Sequence, residues 1–175
     1  MGRVAVVDSN DRFVRWTDRA EIHRSKLPHR SANVLLYDSL GSRGRLLLQR
    51  RDDTKATDPG VWDLSTSGHV EEEDYLGGPD DRLDEVYLAA AHRELLEELG
   101  VAADLELVGH FPPEPGVHYE QLRLYRGRSD GPFVLQPGEV SAIVHVTADE
   151  LAARLAGPEP HTNALRWLAE HGILF

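Results

Sequence analysis

The chain contains no cysteine, which removes disulfides, thiolate metal ligands and cysteine nucleophiles together and is neutral as to compartment. It has no apolar run approaching the roughly 18 residues of a membrane-spanning helix. Met1 to Asn10 lacks the basic region leading into an apolar stretch that marks a secretory signal. Neither secretion nor membrane insertion is indicated, and a cytoplasmic location is the default expectation. Repeats, low-complexity tracts and linkers are missing as well, so 175 residues read as one core of ordinary size. Positive charge is also short. A net charge of −11 repels nucleic acid and anionic lipid over most of the surface, which argues against both as partners. Small phosphorylated ligands stay open, because a divalent cation and a few arginines reverse the potential inside a single cleft.

What is present looks globular, with 41% hydrophobic and 28% charged residues. Val4 to Asp8 and Phe13 to Thr17, separated by Asp8-Ser9-Asn10-Asp11, read as a hairpin. Glu21 to Arg30 is a polar lead-in to an apolar strand, Ser31 to Tyr37, and a turn at Gly41 to Gly44 precedes another strand, Arg45 to Gln49. Arg50 to Gly60 is a loop ahead of Val61 to Leu64. Leu105 to Phe111, Gln121 to Arg126 and Ser141 to Val146 are further strands. Thr147 to Leu155 and Thr162 to His171 are closing helices, each with a threonine to cap its first turn. Strands on both sides of one central helix predict an α+β fold with a mixed sheet packed between helices.

That central helix spans Glu85 to Leu99 and stops at Gly100. At about 100° per residue, Leu88, Leu95, Leu96 and Leu99 fall on one side and Glu94, Glu97 and Glu98 share an arc on the other. Like charges at these spacings destabilise a helix by roughly 0.2–0.5 kcal/mol per pair, so something should offset them. Bulk water does so on many surface helices; a hard divalent cation does so where carboxylates meet substrate phosphates.

The wider string decides between these. Arg93-Glu94-Leu95-Leu96-Glu97-Glu98-Leu99-Gly100-Val101, with Glu85 ahead of it, resembles the Nudix box position for position. The resemblance implies an α/β/α sandwich with the box helix packed on a mixed sheet. It implies one Nudix domain over 1–175: a hairpin and lead-in over 1–30, a core sheet with the box helix over 31–146, and terminal helices over 147–175. It further implies an enzyme that hydrolyses a phosphoanhydride in a small diphosphate-containing substrate of the nucleotide or nucleotide-derivative class. Glu94, Glu97 and Glu98 would hold Mg²⁺, or Mn²⁺ in its place, with the Gly68 carbonyl as a further ligand, and the general base stays unassigned among the glutamates. Arg93 would pair with Glu85 and, with Gly100, stiffen the site. The family's opening glycine lies closer to the first glutamate than Gly68 does to Glu85, so Glu71 to Asp84 reads as an insertion in a polar surface loop. Arg50, Arg51 and Lys55 are candidate phosphate contacts. A homodimer is open on the family's example.

Val4 to Val101 also resembles the Nudix branch that contains type 1 isopentenyl-diphosphate isomerase, through Leu27-Pro28-His29-Arg30, Pro59-Gly60-Val61-Trp62 and Ser67-Gly68-His69. By that resemblance His23, His29 and His69, with Glu120, form a candidate second metal site. The isomerase's cysteine is Ser67 here, and its second glutamate is Leu122. Losing both removes the acid and base that proton transfer at carbon needs, so hydrolysis is favoured over isomerisation. A noncatalytic sensor of a diphosphate ligand is the third alternative.

Overall fold

The computed structural model describes Gly2–Leu40 and Gly44–Phe175; most of the turn expected at Gly41 to Gly44 lies outside these residues. The expected N-terminal hairpin forms from β1 (Arg3–Val7) and β2 (Phe13–Asp18), antiparallel with Arg3 opposite Asp18. The polar lead-in is not a loop at its start. It holds a short helix, α1 (Arg19–Ser25), whose N-terminus is capped by Asp18 accepting from the Glu21 N–H at 2.7 Å. Only Ile22 of this helix is buried, too little apolar periodicity to show in sequence.

The centre of the sheet is β3 (His29–Tyr37), buried at every position. It runs parallel to β8 (Glu120–Arg128) through nine unbroken pairs from His29–Glu120 to Tyr37–Arg128, and β7 (Glu106–Phe111) covers the far side of β8. On its other edge β3 pairs antiparallel with β6 (Thr66–His69). A second group comprises β4 (Leu46–Arg51) between β5 (Trp62–Asp63) and β9 (Val140–Val146). β3 and β4 pair only at Tyr37–Leu46 and then diverge. The Ser65 hydroxyl sits in the fork, accepting from the Leu36 N–H at 2.8 Å and donating to the Leu47 carbonyl at 2.5 Å. Beyond that wedge the strands part, and the gap becomes the site.

Alternation along β3 divides the molecule into layers. Ala32, Val34 and Leu36 join Leu47 against Val86, Tyr87, Ala90, Ala91, Leu95 and Leu99 of α2 (Leu83–Leu99). Leu35 and Tyr37 join Leu46, Leu48, Leu122 and Leu124 beneath α3 (Ala148–Ala156) and α4 (Asn163–Glu170). Thr147 and Thr162 cap these last two helices as expected. The result is an α+β fold with a mixed sheet between helical layers.

Two expectations about α2 need correction. Leu96 does not belong to the core face and is 60% exposed. Glu98, expected opposite the leucines, lies within the buried arc at 5% exposure. Alanines at 90 and 91 bring the helix close to the sheet and rotate its contact face toward the acids, where the parted strands leave room for carboxylates. The helix ends as expected at Gly100, which takes φ +68 and crowds Val134 so closely that a Cβ would lie 2.9 Å from the Val134 Cβ.

The acidic insertion is stapled to the body. Arg30, on the helix-facing side of β3 and fully buried, donates to Asp11 at 2.7 Å, to Asp80 at 2.8 Å, to the Tyr75 hydroxyl at 3.0 Å and to the Pro79 carbonyl. Such a guanidinium is tolerated inside because its donors are met by carboxylates and oxygens.

Candidate active site

Glu94 and Glu98, one helical turn apart, both turn inward. A Cβ built on Gly68 would fall 1.9 Å from the Glu94 Cδ, so only glycine lets β6 pass over this carboxylate. Glu98 accepts from the Gln49 Nε2 at 2.9 Å, across the gap between α2 and β4, while the Gln49 Oε1 is buried without a partner. Burial pushes the Glu98 carboxyl up to about 8, with the neighbouring Glu94 adding to the effect. Burial also raises Glu94, against the opposing pull of Arg93. Two inward carboxyls that burial disfavours as anions, beside an unmet amide oxygen, are an oxygen-rich donor set suited to a hard divalent cation. Glu97 differs: its side chain is 56% exposed and lies at the rim.

Arg93 does not pair with Glu85, which instead meets Arg82 on the surface. Its bidentate partner is Asp74, with Nε and one terminal nitrogen each 2.9 Å from a carboxylate oxygen. Asp74 is the last residue of the short 3₁₀ turn Glu72–Asp74 and is 7% exposed. Arg93 also donates to the His69 carbonyl at 2.9 Å, to Glu94 at 2.7 Å and to Glu97 at 3.1 Å. One guanidinium thus ties the start of the insertion, the β6 backbone and the box carboxylates together. Asp74 follows Gly68 far more closely than Glu85 does, so the extra residues lie between Asp74 and the helix. Sequence spacing measured back from Arg93 pointed to the wrong acid.

On the other face of β6 the side chains of His29, His69 and Glu120 offer ligand atoms all within 4.8 Å of one another. The parallel register of β3 and β8 brings His29 beside Glu120, with Nε2 3.7 Å from a carboxylate oxygen. The His29 Nδ1 meets the Leu27 carbonyl at 2.7 Å, which assigns the proton to Nδ1 and leaves Nε2 a lone pair. Burial holds His29 down at about 4 and His69 well below its usual value, and pushes Glu120 up to about 7. His23 stands nearby, its ring 5.1 Å from that of His69, outside the tight group.

A cleft of about 780 Å³ opens on the histidine side of β6, lined by His29, His69, Glu120 and Gly68; the box glutamates do not line it and reach it only through the contact of Glu94 with Gly68. Arg51 and Lys55 line it as well. Arg51 is held by the Thr57 carbonyl at 2.9 Å, and Lys55 is paired with Glu139. Arg50 is not brought there: it points to Asp53 at 2.8 Å and Ser141 at 2.9 Å. The sequence reading missed Arg19, on α1, which lines the cleft beside His23. Ser67 lines the cleft, whereas Leu122 is 1% exposed in the apolar core. Residues 117–119 reach the cleft, and the insertion Glu71 to Asp84 does not.

The model of the NUDIX domain matches residues 27–168. A Nudix hydrolase called YfcD from Salmonella typhi is 30% identical over 158 residues, spanning 86% of this chain and 75% of its own. Isopentenyl-diphosphate Delta-isomerase 2 from Photorhabdus laumondii is 32% identical over 143 residues, 79% of this chain and 73% of its own. Among solved structures, DR0079 from Deinococcus radiodurans superposes with a TM-score of 0.75 at 24% identity, covering 97% of this chain and 98% of that one. With a box helix, a glycine that admits its glutamate and these relatives, the chain belongs to the Nudix family, in the branch shared by such hydrolases and the isopentenyl-diphosphate isomerases.

Proposed function

We propose that the chain hydrolyses a phosphoanhydride bond in a small nucleotide-like diphosphate, using Mg²⁺ or Mn²⁺ held by Glu94, Glu98 and the Gly68 carbonyl, with Glu97 joining from the rim. The observation that carries this reading is the inward pair Glu94 and Glu98, with Glu94 packed against the Gly68 backbone that also lines a cleft carrying Arg19, Arg51 and Lys55. The ion supplies charge neutralisation on the phosphoryl oxygens and a more acidic water for in-line attack. Arg93 fixes Glu94 by a direct hydrogen bond, so that the carboxylate need not reorganise when substrate arrives. Arg51 and Lys55 present positive charge to the diphosphate, and Lys55 exchanges its Glu139 partner for a phosphate oxygen.

We assign a second cation to His29, His69 and Glu120, whose neutral imidazoles and nearby carboxyl suit a transition metal. Isomerisation is disfavoured by Ser67 and by Leu122, whose place in the core leaves no carboxylate there.

The test is a panel of nucleoside diphosphates, nucleotide sugars and dinucleotides incubated with Mg²⁺ and followed by phosphate release. Wild type should cleave at least one class, and Glu98→Gln should lose roughly 10²-fold or more of that rate with an unchanged melting temperature. Binding without release would make the protein a sensor, and an allylic product from isopentenyl diphosphate would make it an isomerase.

A further inference from the structure

Besides the His29 Nε2 and His69 Nδ1 already placed in the candidate metal group, three side chains on the walls of the cleft keep polar atoms buried without well-formed hydrogen bonds: Ser31 through Oγ, Asn33 through Oδ1, and His161 through both ring nitrogens. Buried polar atoms are paired in native proteins as a rule, and an unpaired one inside a cleft marks a place where something else binds. Ser31 lies opposite His69 in the β3–β6 register and so belongs beside the candidate metal group. Asn33, opposite Ser67, and His161 are not members of that group.

His161 is held rigidly. The segment around it is pinned to β5 on both sides, with the Trp62 N–H donating to the Pro160 carbonyl at 3.0 Å and the Thr162 N–H to the Trp62 carbonyl at 2.9 Å. The Thr162 hydroxyl donates to Asp63 at 2.7 Å. The backbone on either side is thus engaged, while the imidazole, 7% exposed, faces the Glu159 backbone without a well-formed hydrogen bond at either ring nitrogen. A neutral imidazole offers one donor and one acceptor, and the Asn33 amide offers both from the floor. A hydrocarbon pressed on these groups would leave them unmet and be rejected; a nucleobase edge or a sugar diol would meet them.

We propose that His161 and Asn33 are specificity-determining residues that hydrogen-bond the base or sugar of a nucleoside diphosphate and exclude prenyl diphosphates. The inference rests on the reading of the cleft as a diphosphate site. It is tested by calorimetric binding to the full chain, with Ca²⁺ in place of Mg²⁺ to suppress turnover, using ADP, GDP, CDP, UDP, dimethylallyl diphosphate and inorganic pyrophosphate. At least one nucleoside diphosphate should bind roughly tenfold or more tightly than dimethylallyl diphosphate. His161→Phe and Asn33→Leu should each shrink that margin to about threefold or less while pyrophosphate affinity stays within about twofold, and His161→Gln should recover part of the loss. Retained pyrophosphate affinity shows that a variant is folded. Equal binding of nucleoside and dimethylallyl diphosphates, or an intact margin in His161→Phe, overturns the proposal. Failure of every probe to bind overturns it together with the diphosphate site. A preference that behaves as stated, with no phosphate release in Mg²⁺, leaves this proposal standing and defeats the hydrolase reading alone.

Discussion

Gly68 and Glu94 are packed so closely that a single methyl group on the glycine would land 1.9 Å from the Glu94 Cδ. Glu94 is also gripped by Arg93 at 2.7 Å, so it cannot swing aside without breaking an ion pair. Gly68→Ala is therefore expected to cost about 1–3 kcal/mol in urea denaturation and to cut metal-dependent turnover by roughly 10²-fold. An alanine variant with normal turnover would show that Glu94 moves freely.

Asp74 and Glu85 make opposite forecasts. Asp74 is buried and bidentate with Arg93, so Asp74→Ala should destabilise the fold by about 3 kcal/mol, stripping a half-buried guanidinium of its bidentate partner. Glu85 meets Arg82 in solvent, and Glu85→Ala should change stability by no more than about 0.5 kcal/mol. Equilibrium unfolding of the two variants side by side distinguishes them.

The two cation sites should be separable. Adding Mg²⁺ should raise the melting temperature of wild type and of His69→Ala, but not of Glu94→Gln/Glu98→Gln. A transition metal competed against a chromophoric chelator should bind wild type and the glutamate double variant, and should lose roughly tenfold or more in affinity on His69→Ala. Parallel loss of both metals in either variant would mean one merged site.

Arg30 anchors the insertion on the face away from the cleft, through Asp11 and Asp80. Arg30→Met should destabilise by about 3–5 kcal/mol yet leave the KM for any cleaved substrate within about twofold. Arg51→Ala should do the reverse, raising KM about tenfold with little effect on unfolding. A large KM change in Arg30→Met would bring the insertion back into substrate selection.

Much of this was legible in the chain. The strands announced themselves by apolar runs and turn residues, and the capping threonines 147 and 162 marked the last two helices. Arg93 to Val101 carries the family's signature in the sequence alone. The misses share a cause: each depended on what lies opposite a residue in space. α1 buries only Ile22 and so carries no periodic signal. Leu96 and Glu98 exchanged their expected environments because the helix face is chosen by the sheet it meets, alanines pressing in and the parted strands accepting a carboxylate. Asp74 was passed over for Glu85 because the partner of Arg93 is set by the chain's path through the 3₁₀ turn. His161 gave no signal, since its burial against the cleft without a well-formed ring hydrogen bond appears only once the chain is folded.

The unbroken ladder between β3 and β8 has an evolutionary corollary. Because nine successive backbone pairs lock Glu120 alongside His29, the spacing of those two candidate ligands is indexed to the sheet and is indifferent to the length of the 112–119 connection that delivers Glu120. That connection can lengthen, shorten or change composition while the two side chains keep their separation, so the rim of the cleft can vary independently of the His29–Glu120 pair.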